Sequence, residues 1–120
     1  MSEGMQINRV RSVTSGIPGR SLNSARTNHF VIDHAGHAGG PAEAPTPAES
    51  FLAGISACGA LLIEGQAEED GLPLQRAEVA IEGMRSPENL ADFVGINIRF
   101  DLHGVTQEQA AQLVEVYKDR

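Results

Sequence analysis

Thr46-Pro47-Ala48-Glu49 marks the start of a helix that has to find cover. Threonine caps a helix well, proline suits its first turn, and a glutamate three residues after the cap can reach back to the cap's own amide. The residues that follow include Phe51, Leu52, Ile55, Ala57, Cys58, Leu61, Leu62 and Ile63. They are apolar nearly all round, which predicts a buried helix rather than a surface one. Gly54, Ser56 and Gly59 keep parts of it thin, so that another backbone can approach. Polarity returns at Glu64, and Gly71-Leu72-Pro73 stops the helix. The chain has 120 residues, 41% of them hydrophobic. That is enough for one domain over residues 1–120 that closes its own core without metals or disulfides.

The elements around this helix alternate instead. Met5, Ile7 and Val10 give a short alternation, and Ser15-Gly16-Ile17-Pro18-Gly19 reads as a turn. Phe30-Val31-Ile32 is a compact strand, so two or three strands are expected before the helix. Residues 34–47, rich in glycine, proline and alanine, read as a loop. After the helix, Ala77, Val79 and Ile81 share one strand face; Val94, Ile96, Ile98, Phe100 and Leu102 share another. Arg85-Ser86-Pro87-Glu88-Asn89 joins the two as a hairpin loop. Thr106-Gln107-Glu108-Gln109 repeats the capping pattern and opens a last helix with the stripe Ala110, Leu113, Val114 and Tyr117. That helix runs to the final residue, which predicts a further C-terminal segment. The order is α+β, with no βαβ repeat.

Nine basic residues stand against 16 acidic ones, a formal net charge of −7. This sign argues against general binding to nucleic acid or to anionic membranes. The single cysteine cannot form an intramolecular disulfide, and the N-terminus carries no signal-peptide core. Together these give the expectation of a cytoplasmic chain with a reduced thiol. No unbroken apolar run reaches the roughly 20 residues of a membrane span, so no membrane association is expected.

Cys58 is the residue with chemistry to offer. Small buried cysteines are common in helices, whereas a reactive one needs a positive charge or a helix N-terminus nearby. Cys58 lies about three turns in, beyond the reach of the N-terminal dipole, so an arginine must supply the charge. Eight of the nine basic residues are arginines, and spacing does not choose among them. Glu49 is a capping residue first. On an ideal helix it lies about 13 Å from Cys58 along the axis and on the opposite side, so a Cys58–Glu49 site needs a second subunit. Asp33, His34 and His37 stand together on an irregular loop, where their spacing does not specify a metal site. No phosphate loop, dinucleotide fingerprint, paired Cys-x-x-Cys or nucleophile elbow is present, and no cofactor is expected.

The run from Ala44 through Thr46-Pro47-Ala48-Glu49-Ser50-Phe51-Leu52 to Ala57-Cys58 resembles the P-x-E-L-L-x-A-x-x-x-C helix of the OsmC/Ohr family, the osmotically inducible and organic hydroperoxide resistance proteins. His29-Phe30-Val31-Ile32-Asp33 resembles that family's strand before a Gly-Gly loop, here Gly39-Gly40. Glu69-Asp70-Gly71-Leu72-Pro73-Leu74, the strand through Val79 to Gly83, and Gly104-Val105-Thr106-Gln107-Glu108-Gln109 continue the likeness over nearly the whole chain.

The resemblance implies an intertwined α+β homodimer with N-terminal strands, a buried central helix, an antiparallel strand pair and a C-terminal helix. It implies a thiol-dependent peroxidase, in which the central cysteine attacks a small organic hydroperoxide. An arginine and a glutamate hold the thiolate, and an external thiol or dithiol restores it. Carried onto this chain, the roles fall to Cys58, Arg20 and Glu49, with Arg26 second to Arg20. Three positions depart from the pattern. The resolving cysteine would follow Arg120, Ala48 stands where some members place the glutamate, and Ile17 falls where some carry the arginine. A non-catalytic dimer of the same fold, binding a small apolar or thiol-reactive molecule or serving a structural role, is the alternative.

Overall fold

The computed structural model describes residues 4–118. The chain divides into two compact units, Met1–Ser50 and Phe51–Arg120. The first holds an antiparallel meander of β1 (Arg11–Thr14), β2 (Arg20–Ala25) and β3 (Asn28–Asp33), in the order β1-β2-β3. The expected strand at Phe30-Val31-Ile32 is β3. The alternation at Met5, Ile7 and Val10 forms no strand: residues 5–10 are irregular and exposed. The first ladder starts instead at Arg11, where Arg11–Thr14 can pair with Ser21–Ser24 across the Ser15–Gly19 turn.

Two residues, Arg26 and Thr27, turn β2 into β3, and Arg26 takes the left-handed conformation at φ 58°. The buried residues of this sheet are polar, Asn23 and Asp33. Asn23 is accommodated because its oxygen accepts from the Ser12 hydroxyl at 2.6 Å and its amide nitrogen donates to the Phe30 carbonyl at 3.1 Å. A buried amide left without partners would be costly. A single 3-10 turn, Gly36–Ala38, interrupts the loop after β3. Gly40 has to be glycine there, since a Cβ would collide with the His34 carbonyl.

The central helix α1 spans Pro47–Glu69, beginning at the expected proline. Its capping box is formed on both sides. The Thr46 amide donates to Glu49 Oε1 at 2.9 Å, and the Glu49 amide donates to Thr46 Oγ1 at 3.1 Å. The second unit continues with β4 (Arg76–Met84) and β5 (Gly95–His103), an antiparallel pair, and α2 (Gln107–Lys118). Thr106 and Gln109 repeat the reciprocal cap at the start of α2. In the hairpin register Ala77, Val79 and Ile81 oppose Leu102, Phe100 and Ile98, which assembles the expected apolar face. The core sits where this face meets the helices. Ile63, Ala67 and Leu113 are buried, with Leu72, Leu74, Ala77, Phe100 and Leu102 packed on them. The far end of the same face is open, with Val94 72% exposed and Ile96 40%.

α1 itself departs from expectation. Of its 23 residues only Gly59, Ile63 and Ala67 are buried. One face packs on the core, while Phe51, Gly54, Cys58, Leu61 and Gly65 are exposed. Composition says that a helix is apolar all round; it does not say that one copy of the chain has enough other residues to cover every side. α1 is also long and apolar enough to cross a membrane, with an 18-residue stretch of mean hydropathy 1.3. Looking for an unbroken run misses this, because glycine and serine interrupt the apolar residues while barely lowering their average.

Candidate functional site

Arg20 and Asp33 are cross-strand partners at the end of the β2–β3 ladder. That register brings the guanidinium flat against the carboxylate. Arg20 Nε donates to Asp33 Oδ1 and Nη2 to Oδ2, both at 2.8 Å, the two-pronged geometry that arginine makes best. Nη2 also donates to Glu43 Oε1 at 2.8 Å. Asp33 is fully buried and further accepts from the Glu43 amide at 3.1 Å. Its hydrogen bonds with Arg20 hold the carboxyl below the usual aspartate range, against the opposing effect of burial, and the two carboxylates raise the arginine. A recess of about 210 Å³ opens beside this cluster, lined by Thr14, Ser21, Ile32 and Pro47 among others.

Arg20 is engaged, but by Asp33 and Glu43 rather than by Glu49 of the same chain. Glu49 spends Oε1 on the Thr46 amide. Arg26 stands on the two-residue turn, exposed. His34 and His37 are exposed, while their neighbour Asp33 is turned to Arg20. Glu43 carries no local signal in the sequence. It lies on an irregular loop ten residues after Asp33, and no local pattern ties such a position to a strand end.

In the second unit, Cys58 is exposed midway along α1. Phe51, Gly54, Cys58, Leu61 and Gly65 follow one another at helical spacing and form a single open stripe. A Cβ added at Gly54 or Gly65 would meet nothing within 4 Å. The opposite side is closed, and a Cβ on Gly59 would lie 2.9 Å from the Tyr117 ring. Tyr117 in turn packs edge-on to Phe100, ring centroids 5.2 Å apart. At the N-terminal end of the stripe, Phe51 stacks on Phe93 at 5.9 Å, and the Arg85 guanidinium lies 5.7 Å from the Phe93 ring centre. The sequence assigns Arg85 to the hairpin loop and gives no signal at Phe93. Their pairing with Phe51 depends on how the hairpin folds back.

An exposed thiol in the middle of an open apolar stripe can meet a hydrophobic reagent without prior unfolding. Exposure supplies access; the positive charge that makes a thiol a good nucleophile is a separate requirement.

The family model described as OsmC-like protein matches residues 39–120. No curated protein matches the chain. Solved structures do. An OsmC-like protein from Mycoplasma pneumoniae superposes with a TM-score of 0.83 at 14% identity, over 97% of this chain and 83% of that one. An organic hydroperoxide resistance protein OsmC from Legionella pneumophila gives 0.71 at 18% identity, over 93% and 82%. The organic hydroperoxide resistance protein OhrB of Bacillus subtilis gives 0.62 at 19% identity, over 93% and 83%. At these identities the likeness establishes the fold, which is OsmC-like.

Proposed function

Since the chain belongs to the OsmC-like family, we propose that it serves in peroxide defence by reducing organic hydroperoxides through Cys58, as a homodimer. The observation that carries this reading is the exposed Cys58 on the open stripe of α1. Relatives of the same fold are named organic hydroperoxide resistance proteins.

The step is a two-electron transfer. The Cys58 thiolate attacks the terminal peroxide oxygen, the O–O bond breaks, and the alkoxide leaves as an alcohol after taking a proton from solvent. Cysteine is oxidised to sulfenic acid and the hydroperoxide is reduced to alcohol. In the proposed cycle an external thiol attacks the sulfenic sulfur and releases water. A second thiol, or the other arm of a dithiol, then resolves the mixed disulfide.

Arg20 is the proposed charge partner of a thiolate on the second copy, with Glu49 orienting it through the oxygen that the cap leaves free. Glu43 has to release Arg20 for this, because its carboxylate occupies one of the two Nη2 hydrogens, the other being held by Asp33. We read the open face of α1 as a seat for the second copy rather than for lipid. Glu64, Glu68, Glu69 and Asp70 crowd its C-terminal end, and its other face is already packed on Leu113.

Mixing the protein with cumene hydroperoxide and trapping sulfenic acid tests the proposal. Cys58 should oxidise at least about a hundredfold faster than free cysteine, the range that thiolate activation and positioning supply. Cys58→Ser should abolish the reaction. A rate no faster than free cysteine overturns the peroxidase reading and leaves the non-catalytic dimer.

A further inference from the structure

Residues 41–44 form a short strap beside the Arg20–Asp33 pair, and it is pinned on both sides. Before it, the Gly40 amide donates to the Ala35 carbonyl at 3.0 Å; after it, the Pro45 carbonyl accepts from the Asp33 amide at 3.0 Å. A Cβ on Gly19 would lie 2.7 Å from Gly40 Cα, so the first pin has no slack toward β2. Between the pins, Glu43 holds the cluster twice. Its amide donates to Asp33 Oδ2 at 3.1 Å, and its carboxylate accepts from Arg20 Nη2 at 2.8 Å while remaining 73% exposed. Ala42, one residue earlier, is exposed and stands at φ 57°. In that left-handed backbone an alanine Cβ crowds the following carbonyl oxygen. Among the described residues the other non-glycine there is Arg26, on which a two-residue hairpin connection imposes it. No hairpin surrounds Ala42; what keeps it strained is the pair of contacts made by Glu43.

We propose that residues 41–44 are a sprung latch on Arg20. Glu43 occupies the Nη2 hydrogen that Asp33 leaves over, and the strain at Ala42 keeps that hold weak enough for an anion arriving at Arg20 to displace it. Water competes for the exposed carboxylate, and the backbone at Ala42 relaxes when that carboxylate lets go. The pins confine the movement to four residues, so release needs no change in the sheet. Such a latch keeps Arg20 occupied in the single chain and yields it when a second copy brings its thiolate. Its effect on rate rests on Arg20 being the charge partner of Cys58; the latch itself does not.

Two substitutions of opposite sign test it on the intact chain. Ala42→Gly removes the strain and tightens the latch; Glu43→Gln removes the charge and loosens it. The first readout is hydrogen exchange of the residue 43 amide by NMR, corrected for intrinsic rates. Protection should rise about three- to tenfold in Ala42→Gly, the lower part of what a left-handed alanine costs. It should fall about two- to fivefold in Glu43→Gln, the range of an exposed ion pair. Protection unchanged in both variants overturns the latch, and so does protection that falls in Ala42→Gly, the result of added backbone freedom alone. The second readout is the rate of Cys58 sulfenylation by cumene hydroperoxide, which should be faster in Glu43→Gln and slower in Ala42→Gly. A merely structural lesion at Glu43 would not speed the reaction. If protection moves as stated while neither the wild type nor either variant oxidises Cys58, the peroxidase reading falls and the latch stands. If protection moves while all three proteins react at one rate, faster than free cysteine, the peroxidase reading stands and control through the latch falls.

Discussion

Arg20 shows how one side chain can be committed twice with unequal firmness. Its two bonds to Asp33 lie against a carboxylate that is fully buried; its bond to Glu43 reaches a residue that is 73% exposed. Water competes for the second partner and not for the first. The buried pair also has a signature in pH. Asp33 is held below its ordinary value, so its contribution to stability is present above the unfolded-state pKa of about 3.9 and is lost as pH falls through the folded value. Arg20 is shifted upward and stays charged throughout that window. Thermal melts from pH 6 to pH 2.5 should therefore show the wild type losing stability below about pH 4. Asp33→Asn should start lower at pH 7, with part of that acid-dependent slope removed. A slope unchanged by the substitution would mean that other carboxylates carry it.

Among the elements, α1 separates what local chemistry writes into a sequence from what it leaves out. Thr46, Pro47 and Glu49 were legible because a cap is settled within four residues, and the structure forms it as expected. The strand pair was legible because apolar alternation at Ala77–Ile81 and Ile98–Leu102 reports one covered face. The exposure of Cys58 was not, since a helix rich in apolar residues looks the same whether its cover comes from its own chain or from elsewhere. Arg20–Glu43 was hidden for another reason: it depends on strand register and on an irregular loop together. The glycines of α1 put the two faces to a direct test. Gly59→Ala drives a methyl into Tyr117 and should cost about 1–3 kcal/mol in denaturant unfolding. Gly65→Ala meets no neighbour and should gain up to about 1 kcal/mol from helix propensity when the chain is monomeric. If both substitutions behave alike, the assignment of faces is wrong.

On the scale of the whole molecule, acid is concentrated in the half of the sequence that carries the thiol, and apolar surface is concentrated on α1. Phe51 and Leu61 are 57% and 66% exposed, more than an isolated chain leaves open on its most apolar helix without reason. Sedimentation should show a dimer at micromolar concentration, and Leu61→Glu should shift it toward monomer while leaving the circular dichroism unchanged. A monomer at every concentration would remove the interface from the proposed mechanism. The strand ladders carry a different implication. β1 pairs with β2, β2 with β3, and β4 with β5, so every ladder among the described residues joins neighbours in sequence. None has to wait for a distant segment to arrive, and the loops to be closed are short. Pairing between sequence neighbours keeps the entropic cost of closing those loops small. Each unit can thus acquire its sheet on its own clock, early in the life of the chain, before two copies have had occasion to meet.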